Sequence, residues 1–168
     1  LLRINQMPIT ASLIDFDNIA KIAVNKQTFI DSLELDYMNP TWRKIIKPGM
    51  DSLMQIPNTK EWLVKSKYLG HIAKKLYDAG VFMVIGSDSG ANYTVHGIST
   101  IDEIILLQKH GVNVNDILKS ATINATKALG RENIGFIQVG MKADVILMKE
   151  DPRQNLSTLY NIQGLMKN

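Results

Sequence analysis

Residues Val81 to Thr100 read VFMVIGSDSGANYTVHGIST. The five apolar residues Val81–Ile85 are too few for a helix and suit a buried strand. Gly86 and Gly90 then bracket a single carboxylate, Asp88, where that strand would end. A lone Asp among small residues, at the C-terminal end of a parallel strand, sits where α/β folds build their active sites. His96-Gly97 follows eight residues past Asp88 and opens the next helix.

The flanking sequence supports a parallel α/β arrangement. A helix is expected from Thr59, a candidate N-cap, although Trp62 three residues on excludes a capping box. Leu63, Leu69, Ile72, Ala73 and Leu76 give it an apolar face, and Gly80 stops it as a C′ glycine would. Helix, glycine and buried strand in series form the second half of a βαβ unit. Downstream, Thr100-x-x-Glu103 is a capping-box pattern starting a helix at Ser99-Thr100, with Ile101, Ile104, Ile105 and Leu107 facing the core. A third helix is expected from Asn113 or Asn115 to Gly130, with Val114, Ile117, Leu118, Ala121, Ala125, Ala128 and Leu129 on one stripe.

Upstream, Ile9–Ile14 reads as a short strand, and Asp15–Asn39 as largely helical through Ile19, Ile22, Ala23, Phe29, Ile30, Leu33 and Leu35. Pro40, Pro48-Gly49 and Pro57-Asn58 mark a loop-rich region that Trp42 would anchor to the core. From Ile134 the text turns to β-branched residues and regularly placed glycines, which places a domain boundary near Glu132.

Composition narrows the class. The chain has 168 residues, 45% hydrophobic and 21% charged, as in a water-soluble globular protein. No apolar run approaches the roughly 20 residues a membrane span needs. Leu1-Leu2 is followed at once by Arg3, without the apolar stretch of a secretory signal, which favours a cytoplasmic location. Cysteine is absent, so disulfide and thiolate chemistry are excluded, and any zinc would rest on His and carboxylate ligands. The net charge of +3 comes from scattered lysines that read as solvated helix faces, which argues against a nucleic-acid surface.

Three segments together resemble the metal-dependent amidohydrolase superfamily, in its imidazolonepropionase-like and dipeptidase-like branch. They are GSDSG with its downstream His96-Gly97, the Ala-Thr-x-Asn-Ala run at Ala121, Thr122, Asn124 and Ala125, and the Gly-x-Lys-Ala-Asp run at Gly140, Lys142, Ala143 and Asp144. The match covers Ala79 to Leu156. The resemblance implies an α/β fold: the C-terminal part of a (β/α)8 TIM-type barrel over residues 1–132, and strands of a small composite β-sandwich domain over 133–168. A whole barrel needs about 250 residues, so the chain looks like part of a longer protein. The resemblance also implies a hydrolase of amide, cyclic amide or peptide-like C–N bonds that uses a divalent metal, with zinc favoured. It makes Asp88 both metal ligand and general base. His96 and Ser89 become candidate substrate contacts. The implied partner is a small amide or dipeptide-like molecule, with no nucleic acid and no membrane, and a homo-oligomer is left open.

The sequence also departs from the family pattern. It has no His-x-His and only three histidines. His71 falls mid-helix, and His110 sits at a helix end where a cation would complement the dipole. Asp88 alone cannot hold a catalytic zinc, which typically takes three protein ligands. Hence either the remaining ligands lie elsewhere in a longer protein or the chain is a degenerate homologue. Two alternatives stand beside the hydrolase. One is a non-catalytic binding or oligomerisation module. The other, weaker, is an anion-binding loop, disfavoured because Asp88 would repel phosphate and no Lys or Arg lies between Lys75 and Lys109.

Overall fold

The computed structural model describes residues 2, 4–57 and 60–168. It begins with a two-residue strand, β1 (Ile9–Thr10), followed by α1 (Leu13–Asp31), α2 (Pro40–Leu53) and α3 (Glu61–Asp78). Strand β2 (Met83–Val84) comes next, then α4 (Ile98–Lys109), α5 (Val114–Ala121) and α6 (Ile123–Ala128). The chain ends in β3 (Val145–Met148), a 3-10 turn at Leu156–Tyr160, and β4 (Ile162–Met166).

β1 and β2 pair in parallel, Ile9 opposite Met83 and Thr10 opposite Val84. Parallel pairing sends both strands out at the same end, so the loops that follow them meet there. The other edge of β2 is covered by helix: Asn124 donates to the Met83 carbonyl at 2.9 Å, and the Ile85 amide donates to Ser120 O at 3.2 Å. The βα order matches the expected α/β class.

Several boundaries differ from expectation, each for a local reason. The first strand stops at Thr10, and Leu13 and Ile14 begin α1 instead of ending a strand. The part of the proline-marked region from Pro40 to Leu53 is helical, Pro48 included, while Asn58 lies outside the described residues. Asn39 caps α2 by accepting from the Thr41 and Trp42 amides, and Pro40 takes the first helical position, where a missing N–H costs nothing. Thr59 lies outside the described residues, and α3 begins at Glu61 after Lys60. The third helix breaks at Thr122, whose φ of −125° and ψ of −93° are not helical while its hydroxyl bonds Leu118 O at 2.7 Å. The expected stripe accordingly fails at its end: Ile117 is fully buried, whereas Leu129 is 75% exposed.

The main core joins Leu13, Ala73, Ile104, Leu107, Val112 and Ile117 with Leu156 from the last 3-10 turn. A second cluster, Ile22, Phe29, Met50 and Tyr93, lies under α1 and α2. β3 and β4 form a separate antiparallel hairpin, with Leu147, Leu165 and Met166 exposed.

Candidate active site at the strand exits

The loop after β2 is held in an unfavourable backbone conformation. Asp88, Asn92 and Tyr93 have φ of 52°, 41° and 62°, and Gly90 has 104°. Left-handed backbone is uncommon for non-glycine residues, most of all for a bulky one such as Tyr93, and costs on the order of 1 kcal/mol or more each. Such a conformation persists only when surroundings over-determine it, and here they do. The Thr94 hydroxyl lies 2.7 Å from Asp88 O and 2.5 Å from Ala91 O, and the Gly90 amide donates to Thr94 O at 3.0 Å. The Val95 amide donates to Ser99 Oγ at 2.7 Å. The Tyr93 ring is buried in the second core cluster.

Helix α1 supplies the remaining fastenings. Asn18 Nδ2 donates to Tyr93 O at 3.1 Å, and Asn92 Nδ2 donates to Asp15 Oδ1 at 2.7 Å. Asp15 is buried, and its pKa is raised, first by burial and further by the nearby Asp88 charge, while the Asn92 amide pulls it back. Asp15 therefore faces the same strand-exit region as Asp88, a neighbour the sequence reading missed. The signal is present: Asp15 follows the first strand by a few residues, and parallel strands put such residues at one end.

Glu103 does not complete a capping box. Thr100 lies inside α4, and Glu103 Oε2 instead accepts from the Ile14 amide at 2.7 Å, at the start of α1. The N-cap residue of α1, Ser12, provides no side-chain cap. A carboxylate reaching across from α4 thus satisfies the amides at the helix's positive end. Burial pushes the Glu103 pKa up to about 7, against the pull of the Ile14 and Leu13 amides.

The structure brings the expected site residues to one end of the sheet. Asp88 is exposed, and His96 is exposed just ahead of α4. Ser89 flanks Asp88, with its hydroxyl tied to Ser87 Oγ at 2.8 Å. Thr10 Oγ1 would lie 2.7 Å from a Cβ at Gly86, so a larger residue there would have to turn the Thr10 hydroxyl aside where the two strands exit. At Gly90 a Cβ would lie 2.5 Å from Trp42 Nε1 and 3.6 Å from His96 Cε1. Trp42 is thus no core anchor: it is 43% exposed and lies over the Asp88 loop. His71 is exposed on α3, away from any role in this loop. His110 rests on Gly70, where a Cβ would come within 2.3 Å of its ring. Burial lowers its pKa, so it is disfavoured as the cation expected at the end of α4.

A parallel strand pair with helices after each strand defines an α/β arrangement, and an exposed carboxylate, Asp88, stands at the shared strand exit. The profile of the Amidohydrolase family matches residues 65–168, and the chain belongs to that family. It is 26% identical over 104 residues to a 5-methylthioadenosine/S-adenosylhomocysteine deaminase of Carboxydothermus hydrogenoformans, covering 54% of this chain and 24% of the relative. It is 28% identical over 93 residues to a probable imidazolonepropionase of Homo sapiens, covering 55% of this chain and 21% of that protein. Among solved structures, a bottromycin amidohydrolase superposes with a TM-score of 0.77 at 20% identity, over 95% of this chain and 35% of the other. An Xaa-Pro dipeptidase with bound methionine gives 0.66 at 20% identity, over 97% and 34%. The fold is therefore shared along nearly the whole chain, which spans about a quarter of its curated relatives and about a third of the solved chains.

Proposed function

We propose that this chain supplies the proton-transferring carboxylate of a hydrolase acting on C–N bonds, and that the carboxylate is Asp88. The observation that carries the reading is its placement: exposed, at the exit of a parallel strand, on a strained and heavily fastened loop. Such a group takes a proton from the attacking water as the new C–O bond forms. It returns that proton to the leaving nitrogen as the C–N bond breaks. A rigid mount keeps it aimed through both steps. Ser89, next to Asp88 in the chain, and His96, whose ring lies beside Gly90 on the same loop, are the proposed substrate contacts. The proposed substrate is a small amide, cyclic amide or dipeptide-like molecule. The activities that the similar deaminase and the similarly folded dipeptidase are named for support C–N bond cleavage in general.

In this reading residues 1–132 are strand–helix units of a TIM-type barrel, and residues 133–168 belong to a small β-domain. The family's divalent metal, with zinc as the proposed ion, does not fit this chain's residues alone. Among the described residues no group of three or more His, Asp or Glu comes together to hold one. Asp88 is this chain's proposed contribution to a ligand set completed by residues outside it.

Two measurements test the proposal. Asp88→Asn in the whole protein should cut kcat by about 100-fold or more, the scale of general acid–base catalysis. Wild-type turnover in that variant would refute the role. The 168-residue chain alone should bind zinc only weakly in equilibrium dialysis and hydrolyse neither amides nor dipeptides. Tight stoichiometric binding together with turnover would show that the ligand set is complete within it.

A further inference from the structure

We infer that Asp15, at the start of α1, is a positioning residue that holds the Asp88 loop in its left-handed conformation through a hydrogen bond from Asn92. The inference rests on the proposed role of Asp88 and adds to it a residue in a different strand–helix unit.

Asn92 has a φ of 41° and stands between Asp88 and Tyr93, which share the strained region. Its Nδ2 donates to Asp15 Oδ1 at 2.7 Å across 77 positions of sequence. A bond to a buried acceptor with charge is stronger than a neutral one, roughly twofold. Asp15 is itself 8% exposed, so little water competes for its oxygen. Its helix is held from the other side by Glu103, whose Oε2 accepts from the adjacent Ile14 amide. The acceptor therefore sits on a mount that cannot follow the loop if the loop relaxes. Asn18, one turn further along α1, holds Tyr93 O from the same helix. What remains within the loop is short-range: Ala91 N to Asp88 O at 3.3 Å and Thr94 N to Ala91 O at 2.7 Å. Those bonds shape the turn, and the ties to β1 and α4 lie at the loop's ends, at Gly86, Ser87 and Val95, which leaves α1 as the element that holds Asn92 and Tyr93 between them.

The test uses the chemistry of the pair. Asp15→Asn keeps an amide oxygen as acceptor and should behave nearly as the parent. Asp15→Ala and Asn92→Ala remove one partner, and Asn92→Asp sets two carboxylates against each other. In those three, amide hydrogen exchange at Gly90, Ala91 and Thr94 should rise about tenfold or more, the scale of a lost charged hydrogen bond. Exchange in α4 and α5 should stay unchanged. The exchanged pair Asp15→Asn with Asn92→Asp restores a donor and an acceptor and should restore protection. In the whole protein kcat should fall about tenfold in Asn92→Ala with KM within about twofold, because a misaimed base slows chemistry without altering substrate binding. Should Asp15→Ala fail to fold, Asn92→Ala and the exchanged pair decide the matter, since Asn92 lies on the loop. Unchanged loop exchange in Asn92→Ala and Asn92→Asp, or an exchanged pair no better than Asn92→Asp, would overturn the inference. If Asp88→Asn keeps full turnover while loop exchange responds as described, the catalytic reading fails and the positioning of the loop stands.

Discussion

The loop from Gly86 to Val95 and the segment from Ile134 to Met141 both follow an element with a glycine, yet they are built in opposite ways. In the first, left-handed backbone falls on Asp88, Asn92 and Tyr93 as well as on Gly90. Side chains from β1, α1 and α4 fasten it, and Tyr93 is buried. In the second, the left-handed positions are glycines, Gly135 and Gly140, so nothing is strained. Ile137 and Val139 between them are 89% and 99% exposed. Strain that persists marks a place where the surroundings enforce one geometry, and that is what a reacting group requires. The second loop has the freedom of a connector. The difference supports the proposed place of the chemistry in the first.

The largest expected contrast between the two is in amide exchange. Residues 136–141 should exchange orders of magnitude faster than the α5 amides around Ile117, since exposed backbone opens at almost no cost while core helices open only with much of the fold. Mass-spectrometric exchange on the isolated chain reads this directly. Comparable protection in the two would remove the distinction between connector and scaffold.

Next in size is the pH dependence of the mount. The Glu103 pKa rises from an ordinary 4.5 to about 7 on folding. Between those values the folded state binds more protons than the unfolded one. Stability is therefore greatest below pH 4.5 as far as this group is concerned, falls as pH rises through about 7, and is level above it. The total is about 3 kcal/mol, taking about 1.4 kcal/mol for each pH unit of difference. Urea unfolding of Glu103→Gln should lose that slope, and a slope equal to the parent's would assign it elsewhere.

Glycine replacement separates the loops again. Gly90→Ala must push Trp42 aside and adopt an unfavourable φ, and should cost about 2–3 kcal/mol. Gly140→Ala meets nothing within 4 Å and should cost about 1 kcal/mol, from the backbone alone. Equal costs in urea melts would mean that Trp42 does not rest on the Asp88 loop.

The βα order, a strand before Gly86 and the place of Asp88 at its exit are legible in the sequence because periodicity and glycine punctuation are local signals, although only Met83–Val84 of the five expected residues form the strand and only Met83 is buried. The helix over Pro40–Leu53 is not, because a proline at the first turn of a helix looks like a loop unless the Asn39 cap is weighed with it. Glu103 is misread for a related reason. The spacing Thr100-x-x-Glu103 permits a local cap, but tertiary contact with the bare end of α1 wins. Asp15 belongs to no motif: its place a few residues past the first strand is the one signal it gives, and its partner Asn92 lies 77 positions away.

The central claim is that the Asp88 carboxylate transfers the proton, and chemical rescue tests it most directly. Asp88→Gly removes the carboxylate while glycine accepts the left-handed backbone, so the loop keeps its shape. In the whole protein this variant should turn over at least about 100-fold more slowly than the parent, and added formate should recover part of the lost rate by standing in for the missing group. Parent-level turnover in Asp88→Gly without formate would contradict the account.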